Sequence, residues 1–341
     1  MDSVISLIQA AVVFGTVIMF GCIGEIMSEK AGNLNLGVPG IMYIGAIASL
    51  ASVFMYESHV AEPNKALCVI IALVSCFAAS ALAGLIYSFL TITLRANQNV
   101  TGLTLTIFGS GIANFFGGSL NKMAGGVGQI SVAATSETFR ARIPGLSSLG
   151  AFGQIFFSYG FMVYVAIILA ILVNYFLKRT RKGLNLRAVG ENPATADAAG
   201  VNVTKYKYFA TVIGAGISGL GGVYYVMDYI KGTWANDGTI EKLGWLAVAL
   251  VIFATWKSVN AIWGAYLFGI LYWAYFYIPN LTRASQELFK MIPYVVTIVV
   301  LLFVSLRKKK ENQAPAHLGL SYFREEPVSY THLRAHETVL D

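Results

Sequence analysis

Charge is scarce in this chain: Asp, Glu, Lys and Arg together supply 12% of its 341 residues, where a soluble domain carries roughly a quarter. That excludes an ordinary water-exposed fold. The few charges also lie almost wholly in two short basic stretches and the loop tips, so no basic surface exists to track the phosphates of a nucleic acid. Cysteine is nearly absent. Cys22, Cys68 and Cys76 all fall within apolar runs, which makes small-residue packing their use and excludes a disulfide framework. No GxxxxGK(S/T) loop is present, so the chain cannot hold ATP by that device. Neither HExxH nor GxSxG occurs, which removes the better-marked routes to a membrane protease or hydrolase. Met1-Asp2 gives no basic n-region. A cleaved signal peptide is therefore not expected, and the first apolar stretch is expected to continue as a span.

What is present is apolar: 56% hydrophobic residues and a mean hydropathy of +0.65. The class is an all-α polytopic membrane protein. Span candidates lie near Ile5–Ile23, Val38–Tyr56, Ala66–Leu94, Val100–Gly117, Ile155–Leu177, Tyr208–Val226, Leu243–Trp256, Ala261–Ile278 and Met291–Leu306. These give nine transmembrane helices, with eight to ten as the range. Leu243–Trp256 is too short to span alone and is expected to be re-entrant or broken.

Between the fifth and sixth runs, Lys178–Tyr208 carries seven Lys/Arg against Glu191 and Asp197. The positive-inside rule makes it a cytoplasmic loop, as it does the side bearing Arg307–Lys310, and places the N-terminus outside. Inside the loop, Asn192-Pro193 through Gly200 reads as a very short helix. Asn192 can cap it, Pro193 suits its first position, and Gly200 can take the left-handed stop. A compact, Ala-rich helix held out to the cytoplasm suggests a docking element for a soluble partner. Residues 1–310 are expected to form the transmembrane domain, including the loop 178–207, and 311–326 a cytoplasmic tail.

Two glycine-rich segments interrupt the helix pattern, Gly24–Gly40 and Gly232–Gly244. Such a pair in corresponding halves is the usual pointer to a transport pathway; ordinary interfacial loops are the other reading. The insert Ser119–Gln154, rich in Gly and Ser, reads as an extracellular cap or partner-facing loop. The C-terminal PVSYTHLRAHETVLD (327–341) resembles a translated adapter or vector scar and is set aside. With it goes the metal-like pair His332 and His336, which has no third ligand nearby. No metal site and no cofactor is expected.

SEKAGNLNLGVPGIMYIGA (Ser28–Ala46), NQNVTGLTLTIFGSGIANFFGG (Asn97–Gly118), LRAVGENPATADAAGVNV (Leu186–Val203) and GISGLGGVYYVM (Gly216–Met227) resemble the permeases of ABC importers for nucleosides and simple sugars. These belong to the branched-chain amino acid/sugar permease superfamily, and the LTIFGSG wording is similar to the shorter of two paralogous permeases. The resemblance implies a transport subunit in the bacterial cytoplasmic membrane that is not itself an enzyme. Its partners would be a cytoplasmic ABC ATPase, a second paralogous permease and an extracytoplasmic substrate-binding lipoprotein. It also implies that Gly190, Glu191, Asn192, Pro193, Ala194, Ala198 and Gly200 couple to the ATPase. Asn33, Asn35, Gly37, Asn97, Thr101 and Gly102 would lie along or near the translocation pathway. Neutral Asn and Thr groups suit a sugar or nucleoside without the cost of a buried charge.

Asp228 and Lys231 depart from the family pattern, and Asp228 reads as a residue of the membrane edge. The aromatic run Tyr272–Tyr277 reads as an interfacial belt, or as a stacking surface for a base or sugar. The rival function is a partner-free channel or ion-gradient carrier, which would favour titratable groups within the spans. A membrane-embedded enzyme is weaker still, because no nucleophile–base pair is visible.

Overall fold

The computed structural model describes residues 2–123, 130–142, 150–278, 281–307 and 313–323; the segment 327–341 lies outside them. Helix α1 (Asp2–Glu29) is followed by α2 (Val38–His59), then α3 (Lys65–Ser88), which runs on through a π-helical turn at Phe89–Thr93, and α4 (Gln98–Met123). The short α5 (Ala133–Phe139) and α6 (Gly150–Phe156) precede α7 (Phe161–Arg179). The basic loop folds into α8 (Arg181–Glu191) and α9 (Pro193–Ala198). Helix α10 (Val203–Tyr224) ends in a second π-helical turn, Tyr225–Tyr229. Then come α11 (Thr239–Phe253), α12 (Ser258–Trp273) with a 3-10 turn at Ala274–Tyr277, and α13 (Arg283–Arg307).

Eight of these helices are long and apolar enough to cross a membrane: α1 to α4, α7, α10, α12 and α13. The ninth run is α11, whose 15 residues rise only about 22 Å. It is one continuous helix. It packs on α1, α2, α12 and α13, and Trp256 just past its end donates its indole N–H to Glu29, the last residue of α1. Helix α11 is therefore a short apolar helix shielded by its neighbours and is not one of the eight long enough to cross a membrane.

The core is built around α10, whose most apolar window is 78% buried, the highest of the eight. Its glycines explain why. A Cβ on Gly24 of α1 would fall 2.2 Å from the Gly214 carbonyl, and one on Gly214 would fall 2.5 Å from that of Gly24. The two backbones touch, as small residues permit at membrane-helix crossings. Outside this core, α3, α4, α7, α12 and α13 turn large apolar side chains outward, among them Leu82, Ile107, Leu172, Trp263 and Leu302. Such a surface suits lipid or a partner helix.

The two interruptions are narrower than the glycine spacing suggests. Helix α1 stays helical through Glu29, leaving 30–37 irregular, because its polar residues find partners inside the bundle. Helix α11 begins at Thr239, whose N–H bonds Asp237 Oδ1 at 3.0 Å. The described part of the 119–154 insert is seated over the end of the bundle opposite the basic loop. There Thr135 N–H donates to Glu57 Oε1 at 2.9 Å and Val132 N–H to the Gly232 carbonyl at 2.9 Å. Asp228 lies beneath this roof, 9% exposed, in the second π turn. It is covered there because Gly160 leaves no Cβ to displace it: one there would lie 2.7 Å from Asp228 Oδ2. In the aromatic run, Tyr272 stacks inward on Phe14 at 4.3 Å and 18°, while Phe276 faces outward.

Candidate functional site

Two pieces of backbone meet on the basic side: the break after α1 and the loop helices α8 and α9. Helix α9 is set by its ends. Asn192 Oδ1 accepts the Thr195 N–H at 2.9 Å, Pro193 occupies the first turn, and Gly200 takes φ +81°. The Val201 N–H closes onto the Ala196 carbonyl at 3.0 Å, a capped C-terminus of the Schellman kind. Pro193 and Ala196 are buried, and Ala196 packs with Val189 and Val203, with Tyr322 against the cluster. Ala194, Thr195, Ala198, Ala199 and Gly200 are left exposed, a face with no long side chain. Such a face lets another surface approach the helix backbone.

The break at 30–37 is held by a ring of side chains. Glu25 Oε1 accepts the Asn35 N–H at 2.8 Å, and Gln98 Oε1 accepts the Leu34 N–H at 2.7 Å. Tyr87 OH donates to the Leu34 carbonyl at 2.5 Å and Thr106 Oγ1 to that of Leu36 at 2.9 Å. Asn35 Oδ1 accepts the Gly37 N–H at 2.9 Å. Irregular backbone at this depth needs such partners, because its polar groups have left the helix ladder.

The residues assigned by resemblance to the pathway separate here. Asn33 and Asn35 are fully enclosed, at 0% and 1% exposure, and Asn33 Nδ2 donates to Thr211 Oγ1 at 2.7 Å. Gly37 and Gly102 meet at the same point: a Cβ on Gly102 would lie 3.0 Å from the Gly37 nitrogen. These four therefore hold α1, α4 and α10 together at the break. Asn97 caps α4, with Oδ1 accepting from Val100 N–H at 3.1 Å. Thr101 lines an outward cleft of about 370 Å³ shared by α3 and α4.

The break and the coupling loop touch directly. A Cβ on Gly190 would fall 2.3 Å from the Lys30 carbonyl oxygen. The C-terminal tail laces the two together. His317 N–H donates to the Gly190 carbonyl at 3.0 Å and Gly319 N–H to that of Gly32 at 3.2 Å. Tyr322 OH donates to Asp197 Oδ2 at 3.0 Å, and Arg95 lies 4.3 Å from the centre of the Phe323 ring. Burial, aided by neighbouring Lys207, holds the His317 imidazole below its ordinary range. The sequence marks 311–326 as a tail but not these contacts, because its short polar and aromatic residues carry no periodic signal. Sequence reading also passed over Glu25 and Glu29, buried one helical turn apart on α1. Their signal was available: an acid inside an apolar helix marks a functional position by default.

An all-helical, multi-pass bundle that ties a buried break to a small-residue helix on its basic side is the architecture of a membrane transport component. The chain belongs to the family described as branched-chain amino acid transport system / permease component, whose profile matches residues 7–301. TsgC13 of Haloferax volcanii, provisionally named a glucose ABC transporter permease protein, is 32% identical over 94% of this chain and 98% of its own. The nucleoside ABC transporter permease protein NupC of Lactococcus lactis is 31% identical over 92% and 95%. The guanosine ABC transporter permease protein NupQ of Bacillus subtilis is 30% identical over 86% and 90%. A second, more distant permease from each of these organisms also matches, at 21% to 28% identity. No solved structure matches the chain significantly.

Proposed function

We propose that this chain is the shorter permease subunit of an ABC importer that carries nucleosides or related simple sugars across the bacterial cytoplasmic membrane. A separate cytoplasmic ATPase hydrolyses the ATP, a paralogous permease completes the pathway, and an extracytoplasmic binding lipoprotein delivers the substrate. The observation that carries the reading is the contact between Gly190 and Lys30. Helix α9 supplies a surface for the ATPase, and any shift of Gly190–Gly200 presses on the backbone at the break. Alternating access then follows as a rearrangement of 30–37 against α4, with Asn33, Asn35, Gly37 and Gly102 as its joint. Asn97 and Thr101 stand on the side of α4 turned toward the second permease.

A second reading, the ion-gradient carrier, draws on one feature, the buried carboxylates Glu25 and Glu29, which could carry a proton. Uptake of labelled nucleosides, glucose and ribose by vesicles separates the two. The vesicles would hold this chain with its second permease, ATPase and binding lipoprotein. ATP-dependent uptake lost on omitting the ATPase is expected. Uptake that survives without the ATPase and collapses with the ion gradient would transfer the assignment to the carrier.

A further inference from the structure

On the basic side, next to the coupling loop but apart from the exposed face of α9, a cavity of about 480 Å³ opens between α7, α8 and α12. Its wall carries five cations, Lys30, Lys178, Arg179, Arg187 and Lys257, against one carboxylate, Glu191. The cavity also takes in Ser258, the first residue of α12, so the positive end of a 16-residue helix adds to the same field.

Cations gathered in a concave, partly enclosed space repel one another unless an anion joins them. Two details bear on how these cations are held. Burial pushes the Lys30 ammonium below its ordinary range, with Glu191 and Glu29 opposing the shift and Arg187 and Lys257 adding to it. The Nε of Arg187 is buried with no hydrogen-bond partner, an arrangement costly for a charged donor. A guanidinium held this way is matched in geometry by a phosphate.

The position selects the kind of phosphate. Lys178 and Arg179 stand in the last turn of α7, where that helix leaves the apolar zone. On the same face of α7, Asn174 lines the cavity and Ile171 follows one turn deeper, exposed to the outside along with Ile168 and Leu172. A polar chamber at the end of a helix that also turns apolar side chains outward fits a molecule with a phosphate head and hydrocarbon tails. We infer that this cavity binds the headgroup of an anionic phospholipid from the inner leaflet, with its acyl chains along α7. Basic pockets between membrane helices serve such headgroups.

The test uses the purified, delipidated full-length chain and native mass spectrometry. Phosphatidylglycerol, phosphatidylcholine and water-soluble glycerol phosphate are titrated separately. One tightly held phosphatidylglycerol is expected, with phosphatidylcholine and glycerol phosphate far weaker. The exposed pair Lys178→Gln and Arg179→Gln, which touches no packed core, should weaken phosphatidylglycerol binding roughly five-fold for each cation removed. Arg187→Gln should weaken it further and Arg187→Lys less, while Arg283→Gln at the opposite end of the bundle leaves it unchanged. Equal binding of phosphatidylcholine, or no loss in the Lys178/Arg179 pair, would overturn the site. Glycerol phosphate binding as tightly as the lipid would make it a soluble-phosphate site instead. Loss of ATPase association in the same pair, with lipid binding intact, would assign the cations to the ATPase and also overturn the proposal.

Discussion

Gly190 lies so close to Lys30 that a single added carbon on the glycine would sit 2.3 Å from the Lys30 carbonyl oxygen. The last turn of α8 thus rests on the break that follows α1. One half of the contact is the only side-chain-free residue type, so the spacing is set by backbone against backbone. Gly190→Val should force these elements apart at a cost of about 1–3 kcal/mol. Transport by the assembled importer should fall at least about ten-fold, from both the lost stability and the lost register. ATP-dependent uptake and melting temperature would be read together; wild-type uptake would disprove the mechanical link.

The exposed face of α9 separates coupling from stability. Ala198 is exposed and its side chain supports no core, so Ala198→Glu should change stability by no more than about 0.5 kcal/mol. Uptake should nonetheless be lost, with less ATPase retained on co-purification. Normal uptake from a normally folded variant would remove α9 from the ATPase contact.

Gly200 offers a purely conformational test. It stands at φ +81° with nothing within 4 Å of the place a Cβ would occupy, so no clash complicates substitution. Gly200→Val should cost about 1–2 kcal/mol from the left-handed backbone alone, and Gly200→Asn clearly less. Equal melting temperatures for the two variants would show that the cap contributes nothing.

The tail should loosen in acid. His317 binds its proton less readily in the folded chain than at its ordinary value of 6.5, because burial and nearby Lys207 oppose the charge. The unfolded or undocked tail therefore takes up more protons, and docking is complete above that value and weakens as pH falls below it. The protection of amides across 313–323, each rate referred to the intrinsic exchange rate at its own pH, should fall between about pH 7 and pH 5, and His317→Gln should flatten the response. A pH-independent wild-type tail would contradict this.

Gln98 probes the break itself. Its side-chain oxygen is the acceptor for the partly buried Leu34 N–H, so Gln98→Leu should leave that donor unpaired and cost about 1 kcal/mol. Gln98→Glu keeps an acceptor there and should cost less of the Leu34 bond. If Gln98→Leu melts with the wild type, the ring of side chains is not what holds the break.

The membrane class, the helix order and both ends of α9 were legible from residues 178–208 and the apolar runs. Each depends on local chemistry: apolar length, the caps of Asn192 and Gly200, the ring of Pro193. The break was legible as a place, through its glycines, but not the packing of its residues, four of which are enclosed between helices. Asn33 and Asn35 look alike in sequence; the fold encloses both, with Thr211 of α10 taking the Asn33 amide and Glu25 of α1 the Asn35 N–H. The same holds for the tail, which bonds residues more than a hundred positions away, and for the cavity, whose cations run from Lys30 to Lys257. Sequence alone determined what each segment prefers, because caps, turns and hydropathy act over a few neighbouring residues. The tertiary structure decided which polar groups are satisfied and which charges are crowded, because those depend on what the rest of the chain brings within hydrogen-bond reach.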